Sequence, residues 1–374
     1  MGQTMQTNRR EIPGYGFGYV PHGPLHARHP QLSAVTEPPV MKAVHDLLPT
    51  RDWFDAHPFF RLAKEHPQAL TLWVTQECRV SAPFTRMLVD VASRFSHEAL
   101  RSELFLVARG ELGSDYEQWI ETHSALTPSQ RGALSAEDCR ASAVGPTQYA
   151  HARLLDQLRE SMGVSSDLVV TFRETQDWLD CMRANCGPTG HALQALAVLG
   201  EGNERYILRE YVAIERAFKA IASTCWPHLD YQPFLRANVE EDSVHSRILR
   251  GVAAQLIHGT TTAREFEAAS EIYFEAAKAG IEMRNRYYDA LAERTERFLR
   301  DPSYLGSLAH ERPQDVQQYR AWTAEPLDVL RSVQDFIVAD CGQLANDQRS
   351  RNYERFDPIG PDHELAIGPR TLTL

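Results

Sequence analysis

Residues 171–201 read TFRETQDWLDCMRANCGPTGHALQALAVLGE, and this stretch decides the fold class. Its first part belongs to an amphipathic run over 167–184, with apolar residues recurring at helical spacing. Gly187-Pro188-Thr189-Gly190 then stops one helix and restarts another. The run 191–200 is so rich in Ala and Leu that a helix formed there has no polar face to offer water, so it belongs in a core.

The same texture continues in both directions. Helical periodicity dominates from Val44 onward, alternating β-branched runs are few, and turn signals recur at about 20- to 35-residue intervals. The spacing predicts helices over 51–63, 70–95, 99–111, 116–125, 149–162, 203–221, 231–256 and 262–300, then 313–324 and 326–346. Pro83 is expected to kink or split the second of these, and Pro233 suits the first turn of the helix that begins near Tyr231. The chain therefore reads as all-α, in three parts: an irregular N-terminal arm over 1–45 rich in Gly, Pro, His and Tyr, a helical domain over 46–300, and a C-terminal helical extension and tail over 301–374. No internal period of solenoid length stands out.

Composition narrows the function classes. With 43% hydrophobic and 24% charged residues among 374, the chain is ordinary globular material rather than a disordered one. A net charge of −11 argues against nucleic-acid and anionic-membrane partners, which require clustered Lys and Arg. Six scattered cysteines form no zinc or redox pair, no stretch approaches a membrane span, and Gln6 breaks a myristoylation motif at Gly2. The expectation is a cytoplasmic protein that acts on a small molecule.

The chemistry-bearing residues lie on several helices. In FLRANVEEDSVHSRIL (234–249), Asn238, Asp242 and His245 stand at i, i+4 and i+7 and share one face. Carboxylate with imidazole on one stripe suits an iron with open coordination positions; a solvated polar stripe is the plainer alternative. Glu77 sits in an apolar helix beside Trp73, Val74, Val80 and Phe84, Glu111 ends the next helix, and Glu201 follows the Ala/Leu run. Buried carboxylates are costly unless paired or metal-bound. Helices that each direct an acid into a bundle are how carboxylate-bridged metal sites are built. Glu201 competes with Glu204, because Gly202 leaves the local phase open.

Taken in order, Glu77, RSELFLVARGELG (101–113), WIETHSALT (119–127), residues 171–201 and FLRANVEEDSVH (234–245) resemble the heme-oxygenase-like di-iron oxidases and oxygenases, whose fold is shared with the TenA thiaminases and the PQQ-synthesis oxidase. The resemblance implies a heme-oxygenase-like helical bundle with Glu77, Glu111, His123, Glu201, Asp242 and His245 as ligands to Fe(II), two ions per site, and O2 as co-substrate. It implies oxygenation of nitrogen, or oxidative carbon–carbon cleavage, in an amino-acid-like substrate. It also admits a homodimer and an electron donor as partners. Asn238 stands where the family's stripe has its first histidine, and an amide oxygen is the weaker ligand. One iron, two, or none are all compatible with that departure, and a metal-free oxidase or a non-catalytic helical partner are the rival readings. Glu111 and His123 are twelve residues apart, about a third of a turn out of phase on an unbroken helix. Ser114 and Asp115 are alternatives to His123.

Other features read as structural. His191 is a helix-start or core residue, and Trp73, Trp119, Trp178 and Tyr206 are core. Arg284, Tyr287 and Tyr288 are more cheaply explained as a packing face than as a pocket wall.

Overall fold

A computed structural model describes residues 10–11, 18–19, 37–95, 98–111, 151–324, 365–367 and 370–372. Among these the protein is all-α. The only strands are two short antiparallel pairs, Arg10–Glu11 with Gly18–Tyr19 and Leu365–Ile367 with Arg370–Leu372.

The helices, in order, are α1 (Pro39–His45), α2 (Arg51–Ala56), α3 (Pro58–Ala63), α4 (Pro67–Arg94), α5 (Glu98–Glu111), α6 (His151–Ser161), α7 (Arg173–Cys186), α8 (Ala192–Leu199), α9 (Arg205–Cys225), α10 (Gln232–His258), α11 (Ala263–Arg300), α12 (Tyr304–Glu311) and α13 (Pro313–Ala324). A π-helical turn, Gly200–Glu204, joins α8 to α9 without a loop.

Differences from the sequence reading have local causes. Helix α1 begins inside the expected N-terminal arm: Pro39 pre-sets the first turn, and Met41 and Val44 are fully buried against the core. The expected helix over 51–63 breaks at His57, whose extended backbone is what a residue before proline prefers. Pro83, in contrast, does not divide α4. Val80, Phe84, Met87 and Leu88 are all buried, and their packing holds both halves of the helix on the core. Helix α12 is an additional element, and the expected helices over 116–125 and 326–346 lie outside the described residues.

Helix α8 lies in the core. Every residue from Ala192 to Leu199 except Gln194 is buried. His191 caps the helix, its Nδ1 accepting from the Leu193 amide at 3.1 Å while its own N–H donates to Gln194 Oε1 at 2.9 Å. The long helix α11, opened by a Thr262/Glu265 capping box, packs against α7, α8 and the π-helical turn. The approach at that turn is close because glycine meets glycine: a Cβ on Gly202 would stand 2.9 Å from the Gly280 Cα. Helices α4, α5, α6 and α10 enclose the other side, with α5 packed on both α4 and α10.

Candidate metal centre

Three ligand atoms, one each from Glu111, Glu204 and His245, lie within 4.8 Å of one another. They arrive from three directions. Glu111 is the last residue of α5, Glu204 the last residue of the π-helical turn, and His245 lies mid-way along α10. All three are buried. His245 Nδ1 is 3.4 Å from Glu111 Oε1 and 3.7 Å from Glu204 Oε2.

A second imidazole joins them. His151, the first residue of α6 and also buried, places Nδ1 3.2 Å from the same Glu111 Oε1, with its ring 6.2 Å from that of His245. Burial pushes the Glu111 carboxyl up, but the two imidazoles outweigh it and hold the group at about 2, so the carboxylate is the working form.

Glu111 and Glu204 border a cavity of about 20 Å³, which accommodates about one water-sized occupant. Glu77, Ser81, Tyr211, Asn203 and Asn238 complete its polar lining, with Val80, Phe84, Ile207 and Phe234 as apolar walls. Asn203 is buried, and its Oδ1 accepts no hydrogen bond from any described residue. Asn238 donates its Nδ2 to the Phe234 carbonyl at 2.8 Å, which leaves the amide oxygen as its remaining polar atom. Two carboxylates at a small cavity, with the His245 imidazole within 4.8 Å of them and an uncommitted amide oxygen in the lining, are a donor set for a divalent cation. A dication would also offset two negative charges removed from water.

The residues singled out from sequence divide as follows. Glu111 and His245 come together in the cluster. Of Glu201 and Glu204, the π-helical turn directs Glu204 to the cavity. Glu201 faces Arg250 Nη1 at 2.5 Å, Tyr273 Oη at 2.8 Å and Arg205 Nη1 at 3.0 Å. Within a regular α-helix the two acids, three apart, would lie roughly 60° from one another; the wider i→i+5 turn separates them further. Asn238 and Glu77 border the same cavity outside the three-residue cluster, and Glu77 is paired with Arg284. Asp242 shares the stripe of Asn238 and His245 on α10, and its side chain lies outside the described residues, as does all of His123.

His151 was not anticipated. Its signal was present: it lies in phase with Leu154, Leu155 and Leu158 on the buried stripe of α6, where an imidazole is out of character. Comparison with known proteins returns no matching family model, no matching curated protein and no matching solved structure.

Proposed function

We propose that this chain is a non-heme iron oxidoreductase of heme-oxygenase-like architecture that uses O2 on a small amino-acid-like substrate, by N-oxygenation or oxidative carbon–carbon cleavage. The observation that carries the reading is the buried convergence of Glu111, Glu204 and His245 within 4.8 Å. Those three residues would hold the metal. Bound there, ferrous iron would supply the electrons that activate O2, which side chains cannot do.

The chain's own contribution is positioning and exclusion of water. His151, with Nδ1 3.2 Å from Glu111 Oε1, would orient Glu111, the role of an outer-shell partner to a ligating carboxylate. The π-helical turn presents Glu204, and Val80, Phe84, Ile207 and Phe234 form apolar walls that limit the water beside it, which strengthens the electrostatic interactions there.

A second reading has one observation in its favour. The Glu111 and His151 pair compensates the acid without any cation, as a metal-free helical protein would. Anaerobic equilibrium dialysis with Fe(II) separates the two. The metal reading expects binding by the native chain, loss of at least tenfold in affinity on Glu204→Gln, and little change on Glu201→Gln. No bound iron in the native protein supports the metal-free reading. For the metal-binding form, O2 uptake over a panel of amino acids then identifies the substrate.

A further inference from the structure

The family resemblance implies two ions, with Glu77 among their ligands. The contacts of Glu77 argue otherwise. Its Oε1 accepts from Tyr287 Oη at 2.8 Å and Arg284 Nη2 at 3.2 Å, and its Oε2 from the same Nη2 at 3.3 Å and Tyr211 Oη at 3.5 Å. Both oxygens are thus engaged by donors, and a carboxylate offers only about four acceptor directions.

Arg284 is completely buried. Its Nε and Nη2 grip Glu210 at 2.8 and 2.7 Å, and its guanidinium carbon lies 3.9 Å from the centre of the Trp178 ring. This is a fork held on two carboxylates and stacked on an indole, so its charge has no freedom to withdraw.

We infer that the cavity takes one divalent ion per chain, held by Glu111, Glu204 and His245, and that Arg284 supplies to Glu77 the positive charge that a second ion would bring. The inference rests on the metal reading above and specifies its stoichiometry. Three further observations agree with it. Glu77 lines the cavity, so the guanidinium that pairs with it stands close to any second ion and repels it. Asn238 offers only an amide oxygen where the resemblance expects imidazole. The cavity volume of about 20 Å³ suits a single small occupant.

The test is a metal count. Anaerobic titration of the full chain with Co(II) alone, followed by elemental analysis after dialysis, is expected to give one equivalent per chain. Two equivalents overturn the inference and leave the metal reading intact; none overturns both. Glu77→Gln is expected to keep the single equivalent with less than about threefold change in Co(II) affinity, about 0.7 kcal/mol. A tenfold loss would show Glu77 to be a ligand and refute the assignment. In the double variant Arg284→Met with Glu210→Gln, the guanidinium and its main partner leave together, and Glu77 keeps only its tyrosine donors, with no positive charge beside it. A second, weaker Co(II) equivalent is expected there, provided that circular dichroism shows native helix content; a folded double variant still limited to one equivalent refutes the part assigned to Arg284. If that variant does not fold, the native count and the Glu77→Gln affinity still decide.

Discussion

Gly202→Ala is the most informative single substitution, because it acts on the joint that orients Glu204 without touching a ligand. A methyl at position 202 meets the Gly280 Cα at 2.9 Å, the Gly280 carbonyl carbon at 3.2 Å and the Ile281 nitrogen at 3.6 Å, all backbone atoms. Carbon atoms pack comfortably at about 3.5–4.0 Å, so α11 and the π-helical turn must part by roughly 0.5–1 Å. Overpacking of this kind costs about 1–3 kcal/mol. Alanine returns up to about 1 kcal/mol of helical propensity over glycine. The expected net loss is therefore about 1–2 kcal/mol, a few degrees in Tm for a chain of this size. Because Glu204 lies two residues away, Co(II) affinity should also fall by about tenfold, about 1.4 kcal/mol. Gly306→Ala is the control. It lies in α12 with nothing within 4 Å of the added methyl, so it should be stabilising by up to about 1 kcal/mol with metal affinity unchanged. Urea unfolding and Co(II) titration of both variants check the reasoning. A Gly202→Ala protein as stable as the native one, with unaltered Co(II) binding, would refute the claim that this glycine contact sets the site.

Arg250→Met removes one of the two arginines on the buried Glu201, leaving Arg205 and Tyr273 in place, and should cost about 1.5–3 kcal/mol in urea unfolding. Replacing Glu201 with Gln in the same chain removes the charge and keeps an acceptor for Tyr273, so it should recover part of that loss, and failure of the double variant to recover any would contradict the pairing argument. His151→Ala should weaken Co(II) binding about 10–100-fold by removing the support of Glu111. His191→Ala removes only a helix cap, and is expected to cost about 1 kcal/mol of stability with no effect on Co(II) affinity. Glu210 responds to pH: burial pushes its carboxyl up, Arg284 opposes, Glu77 adds to the rise, and the group settles at about 7 against an ordinary 4.5. The folded chain then binds more protons than the unfolded one between those values, so this residue's contribution to stability falls as pH rises from about 4.5 to about 7. Glu210→Gln should flatten that part of the profile, and an unchanged urea-midpoint slope between about pH 5 and pH 7 would exclude the assignment.

Much of the helical plan was legible in the chain, because caps, prolines and the 3.6-residue period are local. The start of α13 and the burial of α8 follow from a proline start and an Ala/Leu run. The shared face of Asn238 and His245 follows from a seven-residue separation on one uninterrupted helix. The ambiguity between Glu201 and Glu204 also belonged to the sequence: Gly202 marked the place where phase is lost.

Resolving that ambiguity required the tertiary structure. An α-turn and a π-turn differ by one residue per turn, and the choice at Gly200–Glu204 goes with the fit of Gly202 to Gly280 and of Glu201 to Arg250, contacts with other helices. His151 meets Glu111, and Arg284 meets Glu77, across separations that no periodicity spans. Sequence by itself determined that this protein is helical, where its helices turn inward, and that acids and imidazole are available on their faces. Only the folded chain decided which acid faces the cavity and which is paired with arginine, since a buried carboxylate takes its role from the charges packed around it.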